Sequence, residues 1–458
     1  MPHRQRRPTN AIPADPTRAM RDRLAEMRRR ALAAARPRVY GRVCQALGLE
    51  IEVEGVEAAL GDTLVIHSTT GPLRAEVIAL RGPRLVCAPL GVAQGIRYGS
   101  SVEATGEALS IEVGDGLLGR VLDGFGRPLD GRPLPAGLET VSIEQSSPHP
   151  LRRRPVERQV ALGIRAIDTL TPCGEGQRLG IFAGSGVGKS TLLGMIARGS
   201  SADVAVVALV GERGREVAEF IDHDLGSLGL ARSVVVVATS DSPALLRIKA
   251  AFVATRIAEY FRDKGAAVVL MMDSLTRLAM AQREVGLAAG EPPATRGYPP
   301  STFGLLPRLL ERAGNSEKGS ITGLYTVLVE GDDMDEPIAD AARSILDGHI
   351  VLSRRLATSG HFPAIDVLES ISRLAPAIQS PDQATMAQRF RRLLAARRDI
   401  ADLVEIGAYA PGSNPLADQA LALSAEMESF LRQDLGELVS LEQSWAQLAE
   451  LLSKTEVG

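Results

Sequence analysis

The stretch GIFAGSGVGKSTLLGMIARG, residues 180 to 199, constrains this chain more than any other. An apolar β-like run, RLGIFA, feeds a glycine-rich turn, GSGVG, that opens directly into the helix-forming KSTLLGMIAR. This is the strand, loop and helix order of a phosphate-binding loop. Gly184, Gly186 and Gly188, with Ser185 and Val187 between them, let successive backbone N–H groups face one concavity, and the helix N-terminus adds partial positive charge. Lys189 is placed to reach the β and γ phosphates of a nucleoside triphosphate such as ATP. The Ser190 hydroxyl is placed to ligate Mg2+, and Thr191 completes the nucleotide-facing turn. The usual pattern begins with Gly where this chain has Ala183, a mild departure provided that residue is still in the strand.

Composition supports the loop at one point. Only five of the 52 basic residues are Lys, and one of them is Lys189. A position that keeps an ammonium in an Arg-rich chain suits a compact point charge on a slim stem. The 458 residues, 45% hydrophobic, are enough for several domains with buried cores. No apolar run approaches membrane-spanning length, and the first thirty residues are too charged for a signal peptide, so a cytoplasmic protein is expected. Cys44, Cys87 and Cys173 lack the paired spacing of a zinc or redox motif and read as buried thiols.

Along the chain the pattern changes several times. Residues 1–38 carry eleven Arg against three acids, and MRDRLAEMRRRALAAA sets Met20, Leu24, Met27 and Leu32 roughly on one helical face. This reads as a basic docking helix, with a solvated tail as the alternative. Residues 39–105 alternate short β-like runs with turns, a small all-β domain. Residues 106–158 are dense in Gly and Pro and read as a connector. From 159 to 375 strands alternate with helices, the signature of a mostly parallel sheet, with candidate strands RLGIFA, VAVVALVG, SVVVVATS, AVVLMMD, GLYTVLVE and HIVLSR. From 376 to 458 only helical periodicity remains, broken at GAYAPGSNP.

Hydrolysis needs a carboxylate that organises the metal and a group that orients or deprotonates water. Asp273 ends the apolar run AVVLMMD, where a Walker-B carboxylate would face Mg2+ through a water; as a strand-end Asp before SLTRLA it also fits a helix cap. Glu212 follows VAVVALVG and is able to poise water, or to pair with Arg213 as a cap. The DHD triplet at 222 to 224 reads as part of a helix rather than a zinc site, since no other His or Cys cluster supports it. EGDDMDE lacks the ligand spacing of a calcium loop.

Taken together, residues 180 to 199, VGERGRE, LMMDSLTR, YTVLVEGDDMDEPIADAARSILDGHIVLSR and GHFPAIDVLESISR resemble the hexameric type III export ATPases, relatives of the catalytic subunit of rotary ATP synthase. The resemblance runs from about Val39 to the C-terminus. It implies an α/β fold: a RecA-like P-loop NTPase core with an N-terminal small β-barrel domain and a C-terminal helical domain. It also implies that Glu212 activates water, that Arg213 steadies the phosphate environment, that Asp273 is the Walker-B residue, and that Arg277 lies near the nucleotide. Arg373 closes ESISR and is implied to be an arginine finger supplied to a neighbour's nucleotide, against a structural salt bridge as the alternative. Phe362 aligns with the aromatic residue that stacks on adenine, although a Phe before Pro363 also suits core packing. EGDDMDE resembles the loop that touches a central shaft.

AGSGVGKSTLLGMIAR and IGAYAPGSNPLADQALAL look like the flagellar branch, with the injectisome branch as the alternative. The family reading implies a homo-hexamer at the cytoplasmic face of the inner membrane. Its partners would be a stator-like export regulator docking on the N-terminal helix, a coiled-coil central stalk protein, the export gate and chaperone-cargo complexes. A hexameric RNA translocase would need a basic, aromatic β surface, which residues 39 to 104 lack, so no nucleic acid partner is expected. A nucleotide-binding ring subunit without turnover is the remaining rival, and the presence of Glu212 argues against it.

Overall fold

The computed structural model describes residues 39–329 and 335–454, together with positions 20, 24, 27 and 28. Apart from those four positions, the N-terminal docking helix expected over 1–38 lies outside the described residues, as does most of the EGDDMDE loop.

The β-like runs after Val39 fold into a closed six-stranded barrel, in the order Tyr40–Leu47, Glu50–Glu54, Arg84–Pro89, Gly71–Arg81, Thr63–Ser68, Ser101–Ala104. Period-two alternation drives Val43, Ile51, Val53, Leu64, Ile66, Ala75 and Val102 into its interior. Closure depends on Ser101–Ala104, a four-residue strand with no apolar run to mark it in the sequence.

The second unit is a nine-stranded sheet. Its main path runs Ile365–Ser372, Gly348–Leu352, Arg178–Ala183, Ser320–Leu328, Ala267–Asp273, Val204–Val210, Ser233–Ala238, Arg120–Asp123, with Gly314–Asn315 paired beside Ser320–Leu328. Along the main path every pairing is parallel except that of the edge strand Ile365–Ser372 with Gly348–Leu352. The interior strands are mostly apolar because helices cover both faces. Val204, Val206, Ala208 and Val210 face the core shared with helices Ala244–Asp263 and Leu275–Ala288, while Ala205, Val207 and Leu209 face the core shared with Lys189–Gly199.

Two features depart from the sequence pattern. Residues 120–123 form the far edge strand of the large sheet, and Ile111, Val113, Leu117 and Ile143 enter its core. The Gly- and Pro-rich connector is thus part of the packing, its strands too short to show a period. The helices after 375 share one apolar cluster with the sheet: Phe390, Leu393, Trp445 and Leu448 pack with Leu179 and Ile181.

Cys87 and Cys173 are buried as read, while Cys44 is half-buried. The connector is locked to the core by a charge pair. Arg312 donates to both carboxylate oxygens of Glu259 at 2.8 and 2.7 Å and to the Ile143 carbonyl at 3.0 Å, with both side chains at most 2% exposed. Removing one charge from such a pair strands the other in a dry interior. Glu259→Gln is expected to destabilise the fold by about 3–5 kcal/mol, measured as a drop in the urea midpoint at unchanged slope.

Candidate active site

Parallel strands deliver their C-terminal ends to one edge of the sheet, and the candidate residues gather there. Ala183 is the last residue of its strand, pairing with Leu328 on one side and Leu352 on the other, so the unusual first position of the loop is indeed extended. Beyond it the loop turns back on itself. Gly186 and Gly188 take φ of 74° and 87°, which only Gly adopts without strain, and Gly188 caps the helix Lys189–Gly199. Ser185 and Gly186 are exposed at the tip, while Gly184 and Val187 are buried beneath it.

Lys189 leans across the loop mouth. Its Nζ lies 2.5 Å from Asp273 Oδ1 and 3.6 Å from Glu212 Oε1, with the lysine side chain only 12% exposed. Asp273 sits at the tip of a central strand, paired with Leu209, which places Glu212 just beyond the end of the adjoining strand. Asp273 is no cap for the helix after it: the Ser274 hydroxyl accepts from the Arg277 N–H and does that work. Arg277 closes the cluster, its Nε 3.0 Å from Glu212 Oε1 and its Nη1 donating to the Gly211 carbonyl at 2.7 Å. Gly211 has φ of 76°, and a Cβ there would stand 2.9 Å from Arg277 Cδ, so glycine lets the arginine cross.

Burial raises the Glu212 carboxyl, and the nearby Asp273 charge raises it further; Lys189 and Arg277 offset this only in part, leaving it at about 7. Glu212 Oε1 has these cations as neighbours but no aligned hydrogen bond. An all-oxygen set of one hydroxyl, Ser190, and a buried strand-end carboxylate, Asp273, fits a hard cation such as Mg2+. The loop helix packs on the helical turn Phe220–Leu225, where a Cβ on Gly194 would stand 2.5 Å from the Asp224 carbonyl oxygen of the DHD triplet.

Phe362 is distant in sequence yet reaches the loop: its ring carbons lie 3.4 and 3.5 Å from where a Gly188 Cβ would stand, and the side chain is 46% exposed. Its carbonyl accepts from the Gln433 N–H at 3.0 Å. The buried Gln433 side chain in turn bonds the Arg165 N–H and the Gly163 and Glu437 carbonyls. Two expected residues stand apart. Arg213 is exposed and pairs with Glu216 at 3.6 Å. Arg373 is at the opposite end of the sheet, because Leu352 pairs with Ile365 near the loop while Gly348 pairs with Ser372 at the strand roots. Eight extended residues separate those ends by about 25 Å.

Thr326 was not anticipated. Its hydroxyl, fully buried, donates to Asp273 Oδ1 at 2.7 Å. The signal was present as one threonine in the otherwise hydrophobic run GLYTVLV.

A phosphate loop on a strand-to-helix turn, a strand-end carboxylate and a second buried carboxyl define a P-loop ATPase. Residues 163–372 match the ATP synthase alpha/beta family, nucleotide-binding domain, and residues 379–450 match the T3SS EscN ATPase C-terminal domain. The flagellum-specific ATP synthase of Bacillus subtilis is 54% identical, over 91% of this chain and 96% of its own length. The type 3 secretion system ATPase of Xanthomonas euvesicatoria is 50% identical, over 89% of this chain and 92% of its own. The assembled EscN of the enteropathogenic E. coli type III secretion system, solved with its central stalk EscO, superposes with a TM-score of 0.84 at 45% identity, covering 90% of this chain and all of that one. The chain belongs to the flagellum-specific ATP synthases within the type III export ATPase family.

The Glu212 carboxyl gives a test without nucleotide. The folded chain holds its proton to about pH 7, whereas an ordinary glutamate releases it near 4.5. Stability from this group is therefore full below 4.5 and is lost as pH rises to 7. Relative to wild type, Glu212→Gln is expected to gain stability between pH 5 and 8, on the order of 2 kcal/mol. Melting curves at both pH values check this; a gap that does not widen would return Glu212 to ordinary behaviour.

Proposed function

We propose that this chain is the Mg2+-dependent ATP-hydrolysing motor of the flagellar type III export apparatus, working as a ring of six and coupling hydrolysis to the unloading and export of flagellar proteins. One observation carries the ring: Lys189, Glu212 and Asp273 converge at one end of the sheet while Arg373 stands at the other. The site then holds every hydrolytic group but the finger, which a second copy must bring.

In this reading the backbone N–H groups of Gly184 to Gly188 cradle the phosphates, and Lys189 leaves the two carboxylates for the β and γ oxygens. That departure frees Glu212, whose affinity for a proton near neutrality suits it to orient and deprotonate the attacking water. Arg277 keeps its carboxylate aimed inward. Ser190, and Asp273 through a water, would hold Mg2+, which supplies charge neutralisation at the phosphate oxygens. The Phe362 ring beside Gly188 offers a face for adenine. Arg213 must leave Glu216 before it can steady phosphate. Arg373 from the neighbouring copy neutralises charge that grows on the transferring group.

Relatives supply the setting. EscN is assembled and carries a central stalk, which supports a hexamer and a coiled-coil stalk partner here. A stator-like regulator on the basic segment 1–38, chaperone-cargo complexes, the export gate and a station at the cytoplasmic face of the inner membrane complete the reading. Among the described residues no helix is long and apolar enough to cross a membrane.

Arg373→Ala is expected to lower ATP turnover at least 100-fold while fluorescent-nucleotide binding stays within about twofold of wild type, since the arginine is remote from its own loop. Equal loss of both would assign it a structural place instead. In the native organism, Glu212→Gln in the chromosome should abolish flagellar filaments while basal rings remain, scored by electron microscopy. Normal filaments would move the chain to the injectisome branch or make hydrolysis dispensable.

A further inference from the structure

Arg373 is held at two points. Its backbone N–H donates to the Asp347 carbonyl at 3.0 Å, and Asp347 is fixed to the root of the phosphate-loop strand by the Arg178 N–H at 3.0 Å and Gln177 Nε2 at 3.1 Å. Its guanidinium rests elsewhere, with Nη2 donating to the Arg343 carbonyl at 3.2 Å. Arg343 is in the last turn of helix Pro337–Ile345, where carbonyls lack a partner within the helix and carry partial negative charge. The final turn of this helix is thus a seat for the finger's charged end, while the sheet holds its backbone.

The helix is built to keep that seat in place. Ile338, Ala339 and Ala342 are buried against the core, and the Glu336 carboxylate caps the first turn, accepting from the Ile338 and Ala339 N–H groups at 2.9 and 3.1 Å. Asp335 and Asp340 lie 3.6 and 3.4 Å from the Arg343 guanidinium, so both ends of the helix are tied by charge. The same stretch of chain starts from the strand whose Thr326 hydroxyl touches Asp273. We propose that helix Pro337–Ile345 positions Arg373 for the neighbouring subunit, and that its cap, Glu336, is a positioning residue for a reaction it never touches. The proposal rests on the reading of Arg373 as a finger supplied in trans.

A mixed ring tests it. Glu212→Gln chains keep a finger but have no working site, and Arg373→Ala chains keep a site but have no finger, so an equal mixture should hydrolyse ATP where each alone does not. Glu336→Ala is then added to one partner at a time. Placed in the finger donor it should lower the mixture's kcat about fivefold with the ATP KM unchanged; placed in the site donor it should leave kcat within twofold. Glu336→Asp in the finger donor should restore the rate, since Asp is also a good cap. Melting temperature and ring assembly of each chain, measured alongside, separate positioning from misfolding. Equal losses in both arms, or none in the finger donor, would overturn the proposal. An inactive starting mixture would overturn the trans reading beneath it, and the proposal with it.

Discussion

Everything at the catalytic edge depends on one crowded contact, the ammonium of Lys189 between the carboxylates of Asp273 and Glu212. Two acids this close and this dry cannot both carry full charge without a cation between them. In the chain described here the protein's own lysine serves as that cation. Nucleotide and metal bring four or so negative charges and two positive ones to the same space, so loading is an exchange of partners within a fixed constellation. The affinity of Glu212 for its proton is set by who occupies the gap. With Glu212 as the proposed base, the arrival of phosphate is thereby coupled to its charge through electrostatics.

That constellation is possible because of the parallel sheet. Each strand contributes its C-terminal tip to the same rim, and the helix that follows points its N-terminus there. Antiparallel pairing at the edge strand Ile365–Ser372 breaks this rule once, and the break carries Arg373 away from the rim to the strand roots. With Arg373 as the proposed finger, one reversed strand divides the catalytic groups between two ends of the molecule. Self-association follows from the topology on that proposal.

Much of this was legible in the sequence, for identifiable reasons. Long apolar runs ending in Asp273 or preceding Glu212 marked buried strands and their tips, and glycine spacing marked the loop, because each of those signals is local. Arg373 and Phe362 came from family resemblance, since nothing local distinguishes a finger from a salt bridge or a stacking ring from core. The strands Ser101–Ala104 and Arg120–Asp123 were illegible: four residues cannot display a period. Thr326 went unread because a hydroxyl in a buried strand gains meaning only once its neighbour, 53 residues away in sequence, is known to be Asp273.

The apolar cluster that runs unbroken from Leu179 and Ile181 into Phe390, Leu393 and Trp445 has a consequence for how such chains diversify. A module can be exchanged between relatives only where it brings its own interior. Here the C-terminal helices and the sheet own their interior jointly, and the Gln433 junction at Phe362 ties the same helices to the rim of the nucleotide loop. The helical end is therefore not a cassette to be swapped; its inner face must drift in step with the ATPase, and novelty is confined to its outer surface.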